Sequence, residues 1–229
     1  MKMDKDPARK RLIGTLEQDI TRLESGLRLF DANVMSILGH QIDLLAIADD
    51  PPHFVMIQLY PEKIAPQAMH KETLKLLYLW YFVCYFKDDF REVAEESYNA
   101  GRMQVPPRLI LVVPEITSQL WSYIQNLKDN CLNIDVFRYN ETVRNGGTET
   151  IWLKCYWPEE IKPLPASTLR RFDADRFKMA EDERHIYEQL MAIDPSIKGY
   201  DRQKSLAKAL AHGRPVVSDE GVSTDRPAP

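Results

Sequence analysis

The sequence predicts an α/β protein, with a central mixed β-sheet flanked by helices and a helical C-terminal extension. Three observations carry this reading. Two apolar runs, 37–48 and 54–60, flank Asp49-Asp50-Pro51-Pro52. Asp and Pro favour a turn, and both runs are rich in β-branched and large apolar residues, so 37–60 reads as a β-hairpin. Residues 108–113, Arg-Leu-Ile-Leu-Val-Val, form the near-continuous apolar run expected of a central strand covered on both faces. A helical pattern and a second strand follow it with short joins, which predicts a parallel crossover.

Taken in order, residues 7–25 read as a helix, because Leu12, Ile13, Leu16, Ile20 and Leu23 recur close to one face. Lys5, Arg9, Lys10 and Arg11 sit at its start, the unfavourable end of the helix dipole for cations, and mark either a solvated end or a basic patch. Gly26 is a natural helix stop, and 27–30 alternates like a short strand. After the hairpin, Pro61 and Pro66 punctuate a connection, and 66–86 reads as a helix with Pro66 in its first turn. Met69, Thr73, Leu76, Leu77 and Trp80 are expected to face the core. The second half of this helix is apolar nearly all round, which implies burial on several sides. Its aromatic stripe, Tyr78, Trp80, Tyr81, Phe82, Tyr85 and Phe86, is better explained by core or dimer-interface packing than by base stacking.

Residues 88–101 read as an amphipathic helix ended by Gly101. A helix over 116–128 follows the 108–113 strand, with Ile116, Leu120, Ile124 and Leu127 at helical spacing, and then a strand over 132–139. Asn145-Gly146-Gly147 signals a turn into a strand over 150–157 that can pair with 132–139. Pro158, Pro163 and Pro165 mark a linker; 167–177, 180–193 and 201–212 have helical character; 214–229 has the composition of a disordered tail. The expected organisation is an α/β domain over 7–157, a helical extension over 158–213 and a tail over 214–229.

Composition narrows the function classes. The hydrophobic fraction of 44% is ample for a core, and a net charge of -4 argues against a chain that is basic throughout, leaving only a local basic patch for nucleic acid. Cys84, Cys131 and Cys155 lack zinc spacing and make no disulfide framework, so they read as small buried hydrophobes in a reducing compartment. The charged start lacks the apolar core of a secretion signal. The most apolar stretch, 76–86, is shorter than the roughly 20 residues that span a bilayer. A cytoplasmic protein with no membrane association is therefore expected. No Ser-His-Asp arrangement, phosphate-binding glycine loop or zinc-protease motif is present.

Asp43 lies inside an apolar run, so it is either paired or points into a site. With Gln41-Ile42-Asp43-Leu44-Leu45-Ala46 around it, the 107–112 strand and the Ile134-Asp135-Val136 strand after a helix, the chain over roughly 9–140 resembles the PD-(D/E)xK nuclease superfamily, which has the restriction-endonuclease-like fold. Within that superfamily it is similar to the mismatch-endonuclease catalytic domain and its uncharacterised relatives. The resemblance implies phosphodiester hydrolysis with a divalent metal that activates water, held by hard oxygen ligands. One acid comes from the first hairpin strand; a second acid and a Lys come from the next strand at i and i+2, on one face.

This sequence keeps Asp43 as the first acid but has Gln58 at the second acid's position and Tyr60 at that of the Lys, so a negative charge and a cation are lost. A helical Gln of the family corresponds to His70. Glu17 could match an upstream acid. Migrated replacements could come from Glu62, Lys63, Lys71, Glu72 or Lys75; His40 lies beside the site with no ligand-spaced partner.

The reading expected from the sequence is a catalytically degenerate nuclease-like module with no cofactor. It would bind a protein, or nucleic acid through Arg102, Arg108, Arg144 or the Arg170-Arg171 pair. The alternatives are an active nuclease with migrated residues, in which Asp43 would hold Mg2+, and a structural homodimer built on the aromatic helix.

Overall fold

The computed structural model describes residues 6–36, 38–86, 90–92, 94, 106–129, 132–144, 147–158 and 162–193. Its centre is a six-stranded mixed sheet in the order β1-β2-β3-β4-β5-β6. The strands are β1 (Leu27–Met35), β2 (Gln41–Asp49), β3 (Pro52–Leu59), β4 (Arg108–Val113), β5 (Asn133–Arg144) and β6 (Gly147–Cys155). The helices are α1 (Pro7–Gln18), α2 (Met69–Tyr85), α3 (Ser118–Asp129) and α4 (Ala166–Ile193).

β1, β2 and β3 form an antiparallel meander; β3/β4 and β4/β5 are parallel, and β5/β6 is antiparallel. The parallel joins run through α2 and α3, as the strand–helix–strand pattern requires. β4 is buried along its whole length because both its faces are covered. On one face, Leu45, Ile47, Met56, Leu109 and Leu111 pack under α2 and α3. On the other, Leu44, Ala46, Ile57, Ile110 and Val112 pack under Leu12, Ile13 and Leu16 of α1.

Several expectations shift in detail. The first helix stops at Gln18, where Asp19 takes non-helical dihedrals and its carboxylate caps a short 3-10 turn over Ile20–Arg22. Gly26 adopts a φ of +89°, which suits glycine. β1 extends well beyond residue 30: a bulge between Leu29 and Asp31 resets the alternation and conceals the strand's length from a period-2 reading. The segments expected as separate helices at 167–177 and 180–193 form the single α4, since Phe177-Lys178-Met179-Ala180 contains no helix breaker. Phe172 of α4 is fully buried in the core under α2.

The aromatic stripe divides. Tyr78, Phe82 and Phe86 are buried, and Trp80 donates to the Pro107 carbonyl at 2.8 Å. Only Tyr81 and Tyr85 of that set are exposed, so the stripe serves mainly the chain's own core. Of the expected 88–101 helix, residues 90–92 and 94 are helical and the remainder lies outside the described residues, as do the turn at 145–146, the helix over 201–212 and the tail over 214–229.

Candidate functional site

Asp43 sits near the start of β2, one position beyond the Leu44–Ile57 pair, where the antiparallel register brings it alongside Gln58 of β3. Apolar neighbours on both strands leave Asp43 fully buried. Its carboxylate is held from two sides. Arg9, in the first turns of α1, places Nε 2.9 Å and Nη2 2.8 Å from Oδ1, and the Leu59 amide donates to Oδ2 at 2.7 Å. Burial raises the Asp43 pKa from its ordinary value, while the Arg9 charge and the Leu59 N–H oppose that rise.

Gln58 is equally buried, and neither its amide nitrogen nor its amide oxygen has a hydrogen-bond partner. Tyr60, one residue past the end of β3, donates its phenol to Glu72 Oε2 of α2 at 2.9 Å. Burial first, then the adjacent Glu72 carboxylate, pushes the Tyr60 phenol well above its ordinary pKa, so it is a neutral donor. Lys75, one turn further along α2, has Nζ 3.9 Å from the same Glu72 oxygen. Desolvation lowers its pKa, with Glu72 and Asp43 opposing and Arg9 reinforcing. His40 packs edge-on to Tyr78 at 5.2 Å, and burial followed by the nearby Lys75 lowers its pKa.

The remaining candidates separate from this cluster. Glu17 is exposed and lines, with Arg9, Lys10, Asn33 and Gln41, a cavity of about 480 Å³ beside α1. Glu62 and Lys71 are exposed. Lys63 pairs with Glu115 at 2.7 Å. His70 turns toward α4, with Nε2 2.8 Å from Asp175 and its ring against Phe172. Arg108, expected to offer its charge to nucleic acid, is 8% exposed and lies between Glu24 and Asp135 at 2.8 and 2.9 Å, so that role is corrected to an internal ion-pair one. Arg170 and Arg171 are exposed, and Arg102 and the Arg144 side chain lie outside what the structure describes.

Arg9 is the residue that sequence reasoning did not place at the site. Its only signal was a cation at the unfavourable end of a helix.

The donor set around Asp43 does not suit a hard dication. Such an ion needs several oxygen ligands with negative charge among them. Here the one buried carboxylate already faces a guanidinium, and its strand neighbour is a neutral amide. Among the described residues no three His, Cys, Asp or Glu side chains are grouped to hold a metal ion.

Fold and site define an α/β protein with a buried, arginine-neutralised carboxylate at the opening of its central hairpin. Its similarities to solved structures are weak. EndoMS in complex with dsDNA aligns with a TM-score of 0.35 and 15% identity, over 60% of this chain and 47% of that one. EndoMS in apo form aligns with a TM-score of 0.31 and 17% identity, over 57% and 46%. SfsA of Pyrococcus furiosus in complex with Ca2+ aligns with a TM-score of 0.32 and 12% identity, over 63% of each chain. The chain thus spans about half the length of the EndoMS chains and under two thirds of SfsA. No protein-family model and no curated protein matches the sequence. No described helix is long and apolar enough to cross a membrane.

Proposed function

We propose that this chain is a catalytically degenerate nuclease-like domain acting as a nucleic-acid-binding or scaffold module. The observation that carries this reading is the engagement of both Asp43 oxygens by Arg9 and the Leu59 amide, with the neutral Gln58 and Tyr60 beside them. A carboxylate so engaged is poorly placed to ligate Mg2+, and the adjacent side chains offer no second negative charge on the strand. The order of β1 to β4, with β3 and β4 parallel across α2, supports the nuclease-like part of the reading because it matches the element order of the sequence resemblance.

Calorimetric titration with Mg2+ and Mn2+, paired with incubation of labelled DNA and RNA, tests it. The expected result is no tight metal site and no metal-dependent cleavage. Cleavage that disappears in Asp43→Ala would overturn the reading. Binding of the same nucleic acids, measured over a series of salt concentrations, separates the two roles: a nucleic-acid module weakens steeply with salt and a protein scaffold shows no such binding.

One observation favours a second reading, in which hydrolysis persists with relocated groups. Glu72 and Lys75 approach the site from α2: Glu72 Oε2 lies 2.9 Å from the Tyr60 hydroxyl and 3.9 Å from Lys75 Nζ. In that case Glu72 is the second acid and Lys75 the amine, and cleavage should vanish in Lys75→Met as well as in Asp43→Ala.

A further inference from the structure

The sheet ends at β1 and β6, and the two edges are built differently. β1 carries a bulge between Leu29 and Asp31 and Asn33 at a φ of 57°. Bulges of this kind keep foreign strands from adding to an edge. β6 has no such break. Its pairing with β5 runs without a shift from Gly147 through Cys155, and it contains no proline. Its side chains alternate between two situations. Trp152 packs against Tyr139, and Lys154 pairs with Asp135 at 3.1 Å, so these positions belong to the chain's own structure. Ile151 and Leu153, on the opposite face, remain 40% and 42% exposed. Among the described residues no strand pairs with the outer side of β6.

We propose that β6 is the surface through which two copies of this chain associate, edge to edge and antiparallel, joining their sheets into one. The occupant is argued from the strand's match to itself. A two-fold axis perpendicular to the sheet keeps every residue on its own face, so each residue must meet one of the same parity. Centred on Trp152, this pairing sets Ile151 against the partner's Leu153, and by symmetry Leu153 against the partner's Ile151. Thr150 then faces the partner's Lys154, and no like charges meet. Centring on Ile151 instead places Leu153 opposite the partner's Glu149, which pairs an apolar side chain with a carboxylate. This register joins the two exposed apolar side chains to each other while the outer backbone N–H and C=O groups of β6 gain partners. The proposal is independent of whether the Asp43 site is degenerate.

Sedimentation equilibrium of the full chain over a range of concentrations tests it, with Leu153→Lys, Ile151→Lys and Tyr85→Lys as variants. The wild type is expected to show a reversible monomer–dimer equilibrium. Each β6 substitution enters the interface twice and should weaken that equilibrium by roughly tenfold. Tyr85→Lys, on the exposed side of α2, should leave it unchanged. Amide exchange over 148–154 in the wild type should slow as concentration rises, which tests the edge without any substitution. A wild type that stays monomeric overturns the proposal. So does a dimer that survives both β6 variants, one lost in Tyr85→Lys, or one without protection over 148–154.

Discussion

Arg9 and Asp43 lie 34 residues apart in sequence, yet the Arg9 guanidinium directs Nε and Nη2 at a single oxygen of the fully buried Asp43 carboxylate. The pair joins α1 to the central hairpin. It also gives the buried anion its countercharge at the place where the sequence resemblance implies a metal ion.

Removing that cation should be strongly destabilising, because breaking a buried pair from one side leaves an uncompensated charge. Arg9→Ala is expected to lower the unfolding free energy by about 3 kcal/mol in urea titrations at neutral pH. Arg9→Lys should recover only part of the loss, since it restores the charge but not the planar fork that meets the carboxylate. Burial shifts the pKa of the same carboxylate upward, against the pull of Arg9 and the Leu59 N–H. The Arg9→Ala deficit should therefore shrink as pH falls toward the carboxylate range, where Asp43 becomes neutral.

The contrast between Asp43 and Arg9 also shows what was readable from sequence. The family resemblance set Gln58 and Tyr60 beside Asp43, and strand alternation gave positions i and i+2 one face. The continuous apolar run of β4 marked a strand covered on both faces, and the strand–helix–strand order over β4, α3 and β5 gave their parallel pairing. Arg9 had no such signal. A contact from a helix to a strand far along the chain leaves no spacing to detect, and an arginine at a helix start looks like any solvated residue. Arg108 misled in the opposite direction, since a basic residue at a strand start gives no hint of Glu24, which approaches from a turn 84 residues earlier. The length of β1 was lost to its bulge, which breaks the period that identifies a strand.

Gln58 offers a stability test with a definite sign. Its amide is buried and both polar atoms lack partners, an arrangement that usually costs 1–3 kcal/mol for each unsatisfied group. Gln58→Leu, similar in volume, should raise stability by about 1 kcal/mol in thermal or urea unfolding. Gln58→Glu should do the reverse at neutral pH, because it places a second carboxylate beside Asp43, and the loss should diminish on acidification.

Tyr60 and Lys75 predict a non-monotonic response to alkali. The folded-state pKa of Lys75 lies below 10.5, so between that lowered value and 10.5 the unfolded chain binds more protons, and stability rises with pH. The folded-state pKa of Tyr60 lies well above 10.0, so beyond 10.0 the folded chain keeps a proton that the unfolded chain loses, and stability falls with pH. Urea midpoints followed from neutral to strongly alkaline pH should show both trends. Lys75→Met should remove this residue's part of the rise, and Tyr60→Phe its part of the fall.

Arg108 and the Arg170-Arg171 pair should separate stability from nucleic-acid binding. The Arg108 side chain is 10% exposed and holds Glu24 and Asp135 at 2.8 and 2.9 Å, with Lys154 Nζ 3.1 Å from Asp135 as a second, more exposed cation. Arg108→Ala withdraws the main countercharge from two carboxylates and should lower the unfolding free energy by about 3 kcal/mol. Because its charge is internally matched, that variant, measured below its unfolding temperature, should leave the salt dependence of nucleic-acid binding unaltered. Arg171 is 76% exposed and meets Asp175 only at 3.6 Å, a surface pair that contributes little to stability. Under the nucleic-acid form of the proposed function, Arg170→Ala and Arg171→Ala should leave unfolding midpoints in place and each reduce the slope of log K against log salt by about one. Fluorescence anisotropy of labelled duplex and single-stranded probes across a salt series checks this. Slopes unchanged in both surface variants would remove the Arg170-Arg171 pair from the binding face.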